Sequence, residues 1–115
     1  MTVRISIVLD CEDPSELAPF WCDALGYNEV FAQEPYVVLA GGDGPNLVLQ
    51  RVPEPKTVKN RVHFDLHPDG PIEDEAKRLE GLGAMRTDAA GLEGTSARWI
   101  VMEDPAGNEF CVCET

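Results

Sequence analysis

The sequence predicts an α+β domain built from two tandem halves, each ordered strand, helix, three strands. Three observations carry this. A hydrophobic fraction of 43% over 115 residues suits one globular domain with an ordinary core. The alternating segment Arg4-Ile-Ser-Ile-Val-Leu9 resembles Arg61-Val-His-Phe-Asp-Leu66. Each segment is followed by an acidic, proline-marked helix start and a helix that closes on Leu-Gly, at Leu25-Gly26 and Leu82-Gly83. Arg4 to Arg61 and Gly26 to Gly83 both span 57 residues, so two separate anchors share one offset.

The first strand places Ile5, Ile7 and Leu9 on one face and Ser6 on the other. Its copy sets Val62, Phe64 and Leu66 against His63 and Asp65. Asp13 is the expected N-cap of the first helix, and Pro14 occupies the first helical position, where a missing N–H costs nothing. Leu17, Ala18, Trp21 and Leu25 recur at helical spacing as the core-facing stripe, flanked by Phe20 and Ala24, and Gly26 supplies a left-handed cap. Strands are expected at 28–32, 36–40 and 46–52, with a glycine-rich turn at 41–44. The proline-containing stretch 53–60 reads as a semi-extended linker. The second helix is expected at about 72–82 with Ile72, Ala76, Leu79 and Leu82 inward, and Glu73, Asp74 and Glu75 at its positive end. Strands at 84–87, 98–103 and 109–113 complete the second half, the last two joined by the turn Asp104-Pro-Ala-Gly-Asn108. The chain thus reads as a single domain over 1–115, with module 1 at about 1–52, a linker at 53–60 and module 2 at about 61–115.

Composition narrows the function. The formal net charge of −12 argues against nucleic acid, whose phosphates such a field repels, and suits either solubility or attraction of a cationic small molecule. No apolar run approaches the ~18 residues of a membrane span, so no membrane partner is expected. The first residues enter a strand pattern directly, without a cleavable signal, which predicts a cytoplasmic protein. Cys11, Cys22, Cys111 and Cys113 form no C-x-x-C pair, and in a reducing compartment they are expected as free thiols.

Three stretches carry a family resemblance: Asp13-Pro14 with Phe20-Trp21 and Ala24-Leu25-Gly26, the run Gln50 to Leu66, and Trp99 to Val112. With them the sequence resembles the vicinal oxygen chelate superfamily, specifically its glyoxalase-like and bleomycin-resistance-like domains, over nearly the whole chain. The resemblance implies two βαβββ modules whose eight strands form an open cup with the helices outside, and it implies a homodimer. It also implies one ligand position on the first and last strand of each module, which here fall on Ser6, Gln50, His63 and Cys111. Strand alternation points those side chains away from their apolar neighbours, except that Gln50 shares a face with Val48 and Val52.

Metal-using relatives present His and Glu at such places, because imidazole and carboxylate serve a divalent cation well. Here the complete set is absent. His63, with Gln50 through its amide oxygen, is what could hold a divalent metal; Ser6 is a poor donor, and Cys111 steers preference toward zinc or a softer ion. His63 has two readings, a hydrogen-bonded histidine lining the sheet beside Asp65, or the ligand-contacting and proton-transferring group, for which it is the best catalytic candidate. Trp99 alternates with Val101 against Ile100 and Met102, so it either packs under a helix or stacks on a ligand. Three functions stay open at this point: a glyoxalase-like domain binding a small organic molecule in the cup, with lyase or isomerase chemistry; a metal-independent drug-binding protein of the bleomycin-resistance type; and a metal-dependent enzyme of the superfamily.

Overall fold

The computed structural model describes residues 2–91, 93–94 and 97–114. The elements run β1 (Ser6–Cys11), α1 (Pro14–Leu25), β2 (Asn28–Gln33), β3 (Tyr36–Ala40), β4 (Asn46–Arg51), β5 (Asp65–Leu66), α2 (Ile72–Leu82), β6 (Met85–Gly91), β7 (Arg98–Glu103) and β8 (Glu109–Cys113). Among the described residues, eight strands form two four-stranded sheets, ordered β1-β4-β3-β2 and β5-β8-β7-β6. The same βαβββ order and the same strand arrangement therefore occur twice, as the 57-residue offset predicts. The chain divides into two compact units, Met1–Lys56 and Thr57–Thr115.

In the first unit Asp13 Oδ1 accepts from the backbone N–H of Glu16 at 3.3 Å and caps α1, and Pro14 follows it. The helix ends at Gly26, whose φ of 70° is costly for any residue with a Cβ. Leu17, Ala18, Phe20 and Trp21 are buried against β3 and β4, where Val37, Leu39, Leu47 and Leu49 point inward. Phe20 and Trp21 meet edge to face, with ring centroids 5.0 Å apart. β1 lies parallel to β4, and β3 antiparallel to both β4 and β2.

The second unit repeats the plan. Ala76 and Leu79 of α2 are fully buried with Ile100, Met102, Phe110 and Val112 of the sheet. Here Pro71 occupies the N-cap position, and no side chain caps the helix. Arg86, on the helix side of β6, holds Glu73 at 2.8 Å and Glu80 at 3.1 Å. Three strands differ from expectation. β1 runs from Ser6 to Cys11 rather than over 4–9, because its parallel pairing with β4 starts at Ser6 and continues to Cys11 opposite Arg51. β5 is two residues long rather than the six of 61–66, because only Asp65 and Leu66 pair fully with β8. β6 extends to Gly91, since β7 offers partners for the whole stretch despite a bulge between Arg86 and Asp88. Among the described residues no helix is long and apolar enough to cross a membrane.

Candidate functional site

Each sheet has a face covered by its helix and a face without one. In the second sheet, alternation assigns Ile100, Met102, Phe110 and Val112 to the helix side, which leaves Asp65, Cys111, Cys113, Trp99, Val101 and Glu103 on the other. Strand register arranges these in rows. Asp65 stands opposite Cys111, Cys111 opposite Val101, and Val101 opposite Asp88. The next row is Cys113, Trp99 and Ala90, and the row on the other side holds Glu109, Glu103 and Met85. Of the two orientations open to Trp99, the helix-free face is the one observed, half-exposed.

One point on this face gathers donors of three chemical kinds. A ring nitrogen of His63, a carboxylate oxygen of Asp65 and the sulfur of Cys111 all lie within 4.8 Å of one another. Among the described residues no other three His, Cys, Asp or Glu side chains converge in this way. The backbone explains the meeting. Cys111 N–H donates to Phe64 O at 2.8 Å, so the chain just before β5 is already tied to β8. Upstream, Asn60 N–H donates to Glu109 Oε1 at 2.7 Å and its side-chain amide to Asn108 Oδ1 at 3.1 Å. Asn108 is in turn oriented by the buried Asp104, whose Oδ1 accepts from the N–H groups of Ala106 and Asn108 at 2.9 Å each. The proline-glycine turn is therefore a hydrogen-bonded hub that fixes the segment leading to His63.

The thiols are held in their protonated form. Burial pushes Cys111 upward, and the Asp65 carboxylate beside it adds to the effect while Lys59 opposes it. Cys113 is pushed up to about 11, by burial first and by Asp65 second. Neither is an activated nucleophile.

The other predicted positions belong to the first unit. Ser6 and Gln50 share the helix-free face of the first sheet, where Ser6 stands opposite Asn46 and Gln50 opposite Asp10 and Tyr36. Four register steps separate them, roughly 13 Å at the rise of a strand. Ser6 also borders a groove of about 630 Å³ beside the 41–44 turn, with Arg4, Asp43 and Asn46. The two halves differ in chemistry on these faces: Val8 faces Val48, whereas Asp65, 57 residues after Val8, faces Cys111, and His63 stands 57 residues after Ser6. Asp65 is a candidate residue that motif transfer passes over. The signal for it was its shared face with His63.

The donor set fits a metal of the borderline-soft class. A tetrahedral zinc-type ion with bonds of about 2.0–2.3 Å sets its donors roughly 3.3–3.8 Å apart, within a small rotamer adjustment of the spacing seen. Within the second unit, Asp65 and Cys111 are the donors near His63.

Comparison with known proteins adds a family and a fold. The sequence model of the glyoxalase-like domain matches residues 6–113. No curated protein matches the chain. Among solved structures, a fosfomycin resistance protein, FosX, from Listeria monocytogenes is similar at a TM-score of 0.79 and 12% identity, covering 100% of this chain and 94% of that one. A glyoxalase/bleomycin resistance protein/dioxygenase family enzyme from Burkholderia phytofirmans PsJN gives 0.78 at 13% identity, with 95% of each chain covered. A lactoylglutathione lyase from Agrobacterium tumefaciens gives 0.71 at 20% identity, covering 99% and 94%. At these identities the likeness is one of fold.

Proposed function

The chain belongs to the glyoxalase-like domain family, and from that premise we propose that it binds a small organic molecule on the helix-free face of its second sheet. The observation that supports this most directly is the convergence of His63, Asp65 and Cys111 within 4.8 Å on that face. A few convergent polar groups beside an apolar wall are the usual makings of a small-molecule site. The ligand's polar end meets this trio, and its flat or apolar part lies along Val101 and Trp99, where an indole face can stack. The reaction class is that of a lyase or isomerase, a proton moved to or from the bound molecule. His63 carries the proton, since imidazole can both accept and donate one. Cys111, kept as a thiol, donates a hydrogen bond rather than attacking. The protein acts in the cytoplasm as a homodimer and without a nucleic-acid partner, a reading in line with its net charge of −12.

A second reading has one observation in its favour. Asp65, Asp88, Glu103 and Glu109 all lie on the same helix-free face, a field suited to holding a cationic drug without transforming it. One experiment serves both readings. Thermal shifts are measured with neutral, anionic and cationic aromatic compounds, on the wild type and on Trp99→Ala. The proposal expects a stabilising compound whose effect shrinks at least fivefold in the variant. Stabilisation by cationic glycopeptides alone, with no turnover, selects the drug-binding reading. No shift with any compound overturns both.

A further inference from the structure

We infer that the second unit carries a separate binding site on the helix side of its sheet, for a zwitterion with an apolar side chain, the class of a free hydrophobic α-amino acid.

The site is a groove of about 520 Å³ between the first turn of α2 and the ends of β6, β7 and β8. Small residues open it. On the helix side Ala89 lies opposite Ile100, and in the next such row Gly91 lies opposite Arg98. A methyl group and a glycine therefore leave the end of β6 unfilled where α2 begins. A Cβ at Gly91 would stand 2.6 Å from the carbonyl oxygen of Ala97, so the bare backbone is required there. Ile72 walls the groove from the helix, and the buried Ile100 is its floor. Ala90 and Trp99 border it at the end of the sheet. An apolar slot with a few polar groups at its mouth suits a small molecule.

Charge decides the occupant. The ionisable side chains of the groove are Glu73, Arg86, Arg98 and Glu114, two acids and two bases, so its lining is neutral in a chain of net charge −12. Arg86 is already engaged, by Glu73 at 2.8 Å and Glu80 at 3.1 Å. Among the described residues Arg98 and Glu114 have no ion-pair partner. They sit side by side: Glu114 N–H donates to Arg98 O at 3.1 Å, and Arg98 alternates with Ile100 as Glu114 does with Val112. An amino acid's carboxylate accepts from the Arg98 fork, and its ammonium group donates to Glu114. Its side chain then lies on Ile72, Ala89 and Ile100. A simple acid meets the unanswered Glu114, and a simple amine meets the unanswered Arg98, so each fits worse.

The test titrates leucine and phenylalanine into the full chain by calorimetry. Isocaproate serves as leucine without its ammonium group, and isoamylamine as leucine without its carboxylate. The expected result is one amino acid bound per chain, with both leucine analogues weaker by about tenfold or more. Amide shifts on binding are expected at 72–73, 89–91, 98–100 and 114. Arg98→Gln and Glu114→Gln, at exposed positions and so compatible with folding, each weaken leucine about tenfold. Ala89→Leu, also exposed, fills the slot and abolishes binding. No binding of either amino acid, equal binding of either analogue, or unchanged affinity in Arg98→Gln overturns the site. Shifts at Asp65, Val101 and Cys111 instead put the amino acid on the helix-free face, which overturns this site and leaves the proposed function standing. The leucine result reads the same whether or not an aromatic compound stabilises the protein.

Discussion

Asp65 and Cys111 face each other across the parallel ladder between β5 and β8, 46 residues apart in sequence and partners in register. One repeat earlier the same positions are Val8 and Val48. The duplicated architecture thus carries an ionisable pair in one copy and an apolar pair in the other.

The same carboxylate adds to the effect of burial on Cys113. Its thiol is raised to about 11, with burial the larger cause and Asp65 the next. An ordinary thiol titrates near ~8.5. Site-resolved alkylation, followed by mass spectrometry against pH, is expected to show Cys113 reacting with a midpoint near 11. Asp65→Asn lowers that midpoint. For stability the sign follows from proton counting: between the ordinary value and the raised one, the unfolded chain has lost a proton that the folded chain retains. The contribution is therefore fully present below about pH 8.5 and is lost as pH rises through 11. A urea midpoint that climbs over that window contradicts the assignment.

Trp21 is 1% exposed and packs edge to face with Phe20 on the inner side of α1. Trp21→Ala removes the largest side chain of that core, and substitutions of this kind cost about 3–5 kcal/mol. Domains of this size are stable by about 5–15 kcal/mol, so the variant is expected to unfold at far lower urea and to be partly unfolded near body temperature. Denaturant melts followed by circular dichroism check it.

The N-terminal cap of α1 makes a milder prediction. Asp13 Oδ1 satisfies the N–H of Glu16, and Asp13→Ala is expected to cost about 1 kcal/mol, seen as a shift in the urea midpoint at unchanged slope. Asp13→Ser should recover most of it. α2, with Pro71 at the N-cap position and no side-chain cap, has no such residue to lose.

The contrast between the helices shows which parts of this fold can be read from sequence. α1 is legible to the residue because its signals are local: Asp13-Pro14 opens it, Leu17 to Trp21 mark its buried side, and Gly26 closes it. The repeat offset carried over to strand order because both halves solve the same packing problem. The face of Trp99 followed from alternation only once Ile100 and Met102 were seen under α2. β5 was overestimated because Arg61 to Phe64 alternate as a strand does, whereas their length of pairing depends on β8, a partner far along the chain. The pairing of Asp65 with Cys111 was hidden for the same reason: register between distant strands is set by packing, not by either strand's own pattern.

The buried turn gives the last prediction, one that links stability to the site. Asp104 is 3% exposed and accepts from two backbone N–H groups and from the side chain of Asn108, which then presents its carbonyl to Asn60. In Asp104→Ala those buried donors lose their acceptor, at a cost of about 1–3 kcal/mol for each group left unsatisfied. Asp104→Asn keeps one acceptor oxygen and should be the milder change. Asn60→Ala lies one step further out: it leaves the turn intact, removes the side-chain bond to Asn108 while keeping the backbone bond to Glu109, and so loosens the segment that leads to His63. It is expected to cost under about 1.5 kcal/mol of stability, yet to shrink the thermal shift given by a stabilising compound, because the approach to His63 is then held less firmly. Equal shifts in Asn60→Ala and wild type would show that His63 is held by its own strand alone. Affinity lost in Asp104→Ala in proportion to unfolding, with Asn60→Ala unaffected, would reduce the turn to a purely structural element.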